Sequence, residues 1–243
     1  MSILPDWFRH SPSAGNRFRE APDTFVWRYV LGKREEMGGK AAVGVAVERT
    51  LAECLIIGAP DDNGIGMLHA AYDDQTAGVV GPERADLPAM FERAVAAMSP
   101  FGKPLTFQAP HRLAAGERFG LKYPVKCLTD FGYDDFYVDL KCTWALPSKP
   151  KFDHVCQLGT YWALTGKAQK VAYVTPKKHA VYDIPTEDLE HGWRVMLATW
   201  KRIEAFDALC KAPADALALV PLNPDSFRWS GADMNAVMEA WQV

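Results

Sequence analysis

Residues 130–161 read DFGYDDFYVDLKCTWALPSKPKFDHVCQLGTY and carry the clearest structural pattern in the chain. Asp130 closes an apolar, β-prone run that begins at Tyr123. Residues 132–135 (Gly-Tyr-Asp-Asp) are typical of a turn, and residues 136–138 (Phe-Tyr-Val) open a second β-prone run. Two short β-rich runs with glycine and aspartate between them predict a β-hairpin.

This hairpin carries a combination of charges that is unusual for a surface. Asp139 and Lys141 are two residues apart, so on a strand their side chains point to the same face. Asp130 reaches that face if the two strands pair across the turn. Two converging carboxylates repel each other unless a cation lies between them, and oxygen ligands favour a hard ion such as Mg²⁺ or Mn²⁺. A neighbouring lysine can orient or deprotonate a water molecule, so these residue types match metal-assisted phosphodiester hydrolysis.

A second motif follows on a helix-like run, where Gln157 and Tyr161 are four residues apart and share a helix face. The order of Asp130, Asp139-x-Lys141 and Gln157-x-x-x-Tyr161 resembles the RecB-type exonuclease branch of the PD-(D/E)XK nuclease superfamily. The resemblance runs from residue 11 to about residue 175. It implies an α/β fold in which helices flank a central mixed β-sheet, the restriction-endonuclease-like core, with an N-terminal helical region.

The resemblance also implies a metal site. The family places Gly-x-x-x-His on a preceding helix, and the matching residues here are Gly44 and Glu48, with glutamate in place of histidine. Lambda exonuclease, a relative, uses a glutamate in this role. Glu48, Asp130, Asp139 and the Leu140 carbonyl would then hold one or two Mg²⁺ or Mn²⁺ ions. The alternative for Glu48 is a solvated helix glutamate, and Glu53 is a weaker candidate.

By the same resemblance, Lys141 would position the attacking water, and Gln157 and Tyr161 would orient the substrate or the water. One residue departs from the family pattern, because Cys127 stands where a glycine often precedes the first aspartate. Asp134 or Asp135 could replace Asp130, although both fall in the predicted turn.

Four lysines are candidates for contacts with a phosphate backbone. Lys149 and Lys151 lie in the loop after the second strand, and Lys177 and Lys178 lie at a later turn. The alternative is that these are ordinary solvated basic loops. The net charge of −3 argues against a strongly basic surface, so any DNA track must be local.

The five cysteines indicate no iron–sulfur cluster. Some RecB-type nucleases hold a cluster with one cysteine near the N-terminus and three near the C-terminus. Here Ala21 precedes Pro22 at the first of these positions, and Cys210 is the only cysteine in the last third of the chain. Cys127, Cys142 and Cys156 lie in apolar runs, where buried reduced thiols are expected.

Composition limits the class of protein. The chain has 243 residues and is 49% hydrophobic, which suits one domain with a substantial core. No apolar run is long enough to cross a membrane, and the N-terminus does not resemble a signal peptide, so a cytoplasmic location is expected. The resemblance implies that the cell is bacterial or phage-infected. We predict one nuclease-like domain: a mainly helical region over 1–100, a catalytic sheet core over 101–185 and C-terminal helices over 186–243.

The remaining periodicity predicts further elements. Helices are expected over residues 11–20 (with Ser11 or Ser13 as the N-cap), 23–31, 40–57, 67–72, 86–98, 152–164 and 186–211, and strands over residues 104–111, 119–130 (as one strand or two), 170–175 and 179–184. The aromatic segment from residue 223 can clamp the N-terminal helices, stack on bases or pack against another subunit, so a homo-oligomer is one alternative.

The leading expectation is a metal-dependent DNA exonuclease in recombination, repair or phage DNA metabolism, acting on single- or double-stranded DNA. The resemblance suggests a single-strand annealing protein or a helicase as a partner. Three alternatives stay open: a structure- or sequence-selective endonuclease, a catalytically silent nucleic-acid-binding protein on a nuclease fold, and a different enzyme with a chance Asp-x-Lys.

Overall fold

The computed structural model describes residues 2–34, 36–58, 61–79, 81–229 and 232–242, without the side chains of residues 61–63 and 227. The helices are α1 (Pro12–Glu20), α2 (Pro22–Phe25), α3 (Gly39–Ile57), α4 (Asp61–Gln75), α5 (Leu87–Met98), α6 (Phe152–Thr165), α7 (Thr186–Leu209), α8 (Pro213–Leu219) and α9 (Met234–Trp241). A π-helical turn (Val26–Val30) continues α2, and short 3₁₀ turns occur at Pro82–Asp86, Ser99–Phe101 and Phe227–Trp229.

The five strands found in the described part of the chain form one mixed sheet in chain order. They are β1 (Thr106–Leu113), β2 (Val125–Gly132), β3 (Phe136–Cys142), β4 (Ala168–Val174) and β5 (His179–Asp183). All neighbouring pairs are antiparallel except β3 and β4, which are parallel and joined through α6. A helical crossover is what a parallel pair requires. The predicted α/β fold with a central mixed sheet flanked by helices is therefore confirmed.

Helices cover both faces of the sheet. Val138 and Leu140 of β3 pack in one apolar cluster with α3, α4 and α5. On the other face, Val171 and Tyr173 of β4 pack with residues of α6 and α7. The side chains of β3 alternate between these two layers, as a strand requires. Consequently Asp139, between Val138 and Leu140, lies on the α6 side.

The N-terminal and C-terminal segments pack against each other. Ser11 caps α1 by accepting a hydrogen bond from Ala14 N (3.1 Å). Trp27 contacts the ring of Trp229, whose indole nitrogen donates to Asp23 Oδ2 (3.1 Å). Of the roles considered for the aromatic C-terminal segment, clamping the N-terminal helices is the one that these contacts realise.

The predicted hairpin is confirmed, but β2 continues two residues beyond Asp130. Gly132 makes this possible, because a Cβ there would lie 2.2 Å from Thr106 Oγ1 on the neighbouring strand. The beginning of the strand predicted over residues 119–130 is wrong, because residues 119–124 form no strand. Phe119 and Gly120 both have positive φ, at 61° and 64°, which turns the chain away from extended geometry.

Two helix predictions need correction. The helix predicted over residues 67–72 is α4, with fifteen residues, because burial of Leu68 and Tyr72 outweighs the low helix propensity of the local glycines and aspartates. Helix α7 ends at Leu209, so Lys211 does not sit in its last turn. Instead, the Lys211 N–H donates to Asp215 Oδ2 (2.7 Å) at the start of α8.

Across the described residues, no helix combines the length and the apolar character that crossing a bilayer requires.

Candidate active site

The hairpin brings the two predicted strand aspartates to neighbouring positions. Asp130 lies on β2 and Asp139 on β3, and the β2–β3 register places Phe131 opposite Val138. The backbone N–H of Leu140 donates to Asp130 Oδ2 (3.1 Å), which ties the first carboxylate to the strand that carries the second. Asp134 and Asp135 are exposed in the turn, as predicted, and stand outside both strands.

Asp139 is the centre of the arrangement and is only 1% exposed. Gln157 Nε2 donates to its Oδ1 at 2.9 Å, and Lys141 Nζ lies 2.6 Å from its Oδ2. The approach of Lys141 is an ion pair without good hydrogen-bond geometry. Among the described residues, Asp139 Oδ2 accordingly accepts no hydrogen bond of regular geometry. A buried carboxylate oxygen that is left in this state can accept a further ligand.

Gln157 and Tyr161 meet on the inner face of α6, as their spacing predicts. Gln157 Nε2 lies 2.5 Å from the Tyr161 hydroxyl, so the amide bridges Tyr161 and Asp139. Tyr161 is buried, and burial followed by repulsion from Asp139 and Asp130 raises the pKa of its hydroxyl well above the ordinary value. Tyr161 therefore stays protonated and acts as a hydrogen-bonding group.

Glu48 approaches from α3 on the other side of the hairpin. Gln108 Nε2 on β1 donates to Glu48 Oε1 at 3.1 Å. Gln108 has a φ of +48°, which is rare for a residue with a side chain and which occurs preferentially at functional sites. Sequence reasoning did not find Gln108, because neither its residue type nor its place on an ordinary strand pattern signals a left-handed backbone.

The electrostatics of the cluster are dominated by like charges. Burial, and then repulsion from Asp139 and Glu48, raises the pKa of Asp130 well above its ordinary value. Burial is also the main cause of a raised pKa at Glu48, where the Gln108 hydrogen bond and Lys141 act in the opposite direction. Burial lowers the pKa of Lys141, but the three carboxylates outweigh burial and raise it overall. The lysine is therefore a fixed positive charge, and the carboxylates compete for it.

A divalent ion fits this donor set by its chemistry. The candidate ligands are all oxygens, which hard ions such as Mg²⁺ and Mn²⁺ prefer, and a buried Asp139 oxygen is paired with Lys141 without a hydrogen bond of regular geometry. Within the described part of the chain, no three His, Cys, Asp or Glu side chains are yet grouped closely enough to hold an ion together.

His154 is a second residue that sequence reasoning missed. It lies on α6 one turn before Gln157, and its Nδ1 lies 2.7 Å from the Tyr173 hydroxyl. Burial, followed by the positive charge of Lys141, lowers the pKa of His154. Its position three residues before Gln157 was the available signal, since residues at that spacing share a helix face.

The four candidate phosphate contacts are all exposed. Lys151 precedes α6, where its backbone N–H donates to the Tyr173 hydroxyl (3.0 Å), and its charge acts on His154. Lys149 lies in the same loop. Lys177 and Lys178 form the β4–β5 turn, where their backbone N–H groups donate to Thr175 Oγ1 (3.2 and 3.0 Å). The loop lysines and the turn lysines thus both follow the carboxyl ends of the parallel strands β3 and β4, and the loop lysines also lie next to the helix that carries Gln157.

The cysteines are all free thiols. Cys127 and Cys156 are buried as expected, and burial raises their pKa values to about 12 and about 11. Cys142, at the end of β3, is partly exposed instead of buried. Its thiol pKa is also raised, to about 12, by burial and then by Glu48. Reactive thiolates are therefore not part of this site.

No protein-family model matches this chain, and no curated protein matches it. Among solved structures, that of a protein designated SSO0001 is similar over 74% of this chain and 88% of that chain, with 14% sequence identity and a TM-score of 0.32. A likeness this distant carries no argument about this protein.

Proposed function

We propose that this protein is a divalent-metal-dependent deoxyribonuclease that hydrolyses phosphodiester bonds from DNA ends. The observation that carries the proposal is the environment of Asp139. One of its oxygens is held by Gln157 and the other faces Lys141, while Asp130 and Glu48 approach without enough positive charge to balance three carboxylates. A site that is short of positive charge is suited to a cationic cofactor and a phosphate substrate.

Glu48, Asp130, Asp139 and the Leu140 carbonyl would hold one or two Mg²⁺ or Mn²⁺ ions. When bound, such an ion acts as a Lewis acid towards the phosphoryl oxygens and lowers the pKa of water. Lys141 keeps its proton, so it orients the attacking water and stabilises negative charge that develops on the phosphate. Gln157 holds Asp139 in place, Tyr161 supports Gln157, and both would orient the substrate or the water. Attack of water on phosphorus and departure of the 3′-oxygen would leave a 5′-phosphate.

Degradation of end-labelled linear DNA, both single- and double-stranded, beside a closed circle tests this proposal. Reactions with Mg²⁺, Mn²⁺ or EDTA would compare the wild type with Lys141→Ala and with Lys201→Ala, a control on the outer face of α7. We expect the wild type and the Lys201→Ala control to degrade linear DNA when metal is present and to spare the circle. Lys141→Ala should lose this activity. Cutting of the circle would favour the endonuclease alternative, and absence of cleavage with every metal would contradict the catalytic proposal.

Thermal unfolding gives a second readout that does not depend on activity. Binding of an ion to the folded state alone stabilises it by about 2.7 kcal/mol at a hundredfold excess over Kd. We therefore expect Mn²⁺ to raise the Tm of the wild type and to leave the Tm of Asp139→Ala unchanged. An equal shift in both proteins would place the ion elsewhere.

A further inference from the structure

A basic cavity of about 860 Å³ lies between the N-terminal helices and the start of α3. Five cationic side chains line it: Arg17, Arg28, Arg34, Lys40 and Arg228. The acidic side chains among its described lining residues are Glu36 and Glu83, and Glu20 forms an ion pair with the lining Arg228. In a chain whose net charge is −3, this is a local excess of positive charge, as expected where a polyanion binds.

The start of α3 adds to this positive field. Helix α3 is nineteen residues long, and its N-cap, Gly38, provides no side-chain cap. A helix N-terminus favours anions through its exposed N–H groups and its dipole. The carboxylate of Glu83 lies beside this end of the helix, since a Cβ on Gly39 would lie 2.8 Å from its Oε2. An acidic oxygen is thus already accommodated beside this end of the helix.

The cavity is connected to the candidate active site through Lys40 and Trp144. Lys40 lines the cavity, and its Nζ lies 5.5 Å above the centre of the Trp144 ring. Trp144 follows Lys141 by three residues, and its indole N–H donates to Asp86 Oδ2 (2.6 Å), which fixes the ring. Lys40 and Glu48 are eight residues apart on α3, or about 12 Å along the helix axis. That distance corresponds to about three nucleotide steps of B-form rise.

We propose that this cavity binds the sugar–phosphate backbone of one DNA strand, and that Trp144 provides the stacking surface for a base between the cavity and the candidate active site. DNA as the ligand rests on the proposed function. A cavity of this size accommodates a short single strand and is too small for a duplex. Basic grooves combined with aromatic side chains are the usual means of holding single strands.

Binding of a fluorescent single-stranded oligonucleotide, followed by anisotropy in EDTA, tests the cavity without cleavage. Arg34→Gln combined with Lys40→Gln removes two exposed charges from the cavity. Lys201→Gln combined with Arg202→Gln is the matched control, because both residues are exposed on α7, in the layer that covers the opposite face of the sheet. We expect binding on the order of tenfold weaker and a salt slope smaller by about 1.4 for the cavity variant only. Equal effects in both variants would overturn the proposal.

Two further measurements distinguish a DNA strand from a small anion as the ligand, and base stacking from backbone binding. Pyrophosphate or a single nucleotide that displaced the strand completely at micromolar concentration would indicate a small-anion site and would overturn the proposal. Trp144→Leu should weaken binding of a normal strand severalfold but leave binding of an abasic strand unchanged. An identical loss for both strands would exclude base stacking at Trp144.

The outcomes also distinguish this inference from the proposed function. If no metal supports cleavage, but the cavity variant alone binds DNA weakly, the strand site stands and the nuclease does not. If linear DNA is degraded equally by the wild type and the cavity variant, with equal affinities, the nuclease stands and the strand site is wrong.

Discussion

Two aspartates in this protein respond to removal from water in opposite ways. At Asp130, burial and neighbouring carboxylates raise the pKa well above its ordinary value. At Asp207, on α7, burial acts in the same direction, but hydrogen bonds outweigh it and lower the pKa to about 2. The same functional group is therefore electrostatically strained in one region and fully compensated in the other.

The difference lies in the number of donors. Asp207 is 1% exposed and accepts hydrogen bonds from Ser2 Oγ (2.8 Å), Ile3 N (2.9 Å), Leu4 N (3.3 Å), Lys122 Nζ (2.6 Å) and Tyr123 Oη (2.6 Å). Among the described residues, Asp130 accepts a hydrogen bond from Leu140 N and faces two other acids. Asp207 anchors the N-terminal segment to α7. The carboxylates of Glu48, Asp130 and Asp139 instead carry negative charge that an external cation can neutralise.

The largest effects should come from replacing each aspartate by asparagine. Asp130→Asn can keep the Leu140 hydrogen bond while it removes a like charge, so we expect unchanged or higher stability and about a 10³-fold loss of DNA degradation. Asp207→Asn turns an NH₂ group towards several donors, so we expect a loss of roughly 3 kcal/mol in the free energy of unfolding. Urea unfolding and nuclease assays on both variants would measure these changes. The comparison fails if Asp130→Asn is the less stable protein.

A smaller effect is expected from acid. Because the pKa of Asp207 is lower in the folded protein than in the unfolded chain, its stabilisation is present above pH 4 and is lost as the pH falls towards 2. The shift corresponds to roughly 2 kcal/mol, at 1.36 kcal/mol for each pKa unit. The stability difference between the wild type and Asp207→Asn, measured by urea unfolding at each pH, should shrink by this amount. A difference that is constant with pH would show that Asp207 is not ionised in the folded protein.

The smallest expected effect concerns the backbone at Gln108. Gln108→Gly and Gln108→Ala both remove the hydrogen bond to Glu48, but only glycine accepts a φ of +48° without steric conflict. We expect the glycine variant to be more stable by about 1 kcal/mol, as measured by urea unfolding. Equal stabilities would mean that the left-handed conformation of Gln108 stores no strain at the candidate site.

Sequence patterns predicted much of the fold near the hairpin, because there local rules and tertiary structure agree. Alternation placed Asp139 and Lys141 on one face of β3, and helical spacing placed Gln157 and Tyr161 together on α6. The boundary of α7 was missed because the Asp215 carboxylate captures the Lys211 N–H, a competition that helix propensity does not include. Whether Glu48 and Lys141 act in catalysis remains a prediction.

The sequence by itself determined the identity and local spacing of the chemical groups: the two aspartates and lysine of the hairpin, the glutamine and tyrosine of the following helix, and the alternation that forms the sheet. Tertiary structure alone decided which groups are strained and which are satisfied. Asp130 and Asp207 are the same type of residue. Their pKa values differ because distant segments bring carboxylates to Asp130 and hydrogen-bond donors to Asp207. Gln108 acquired its place beside Glu48 in the same way, since contacts across sixty residues depend on how the sheet and α3 pack.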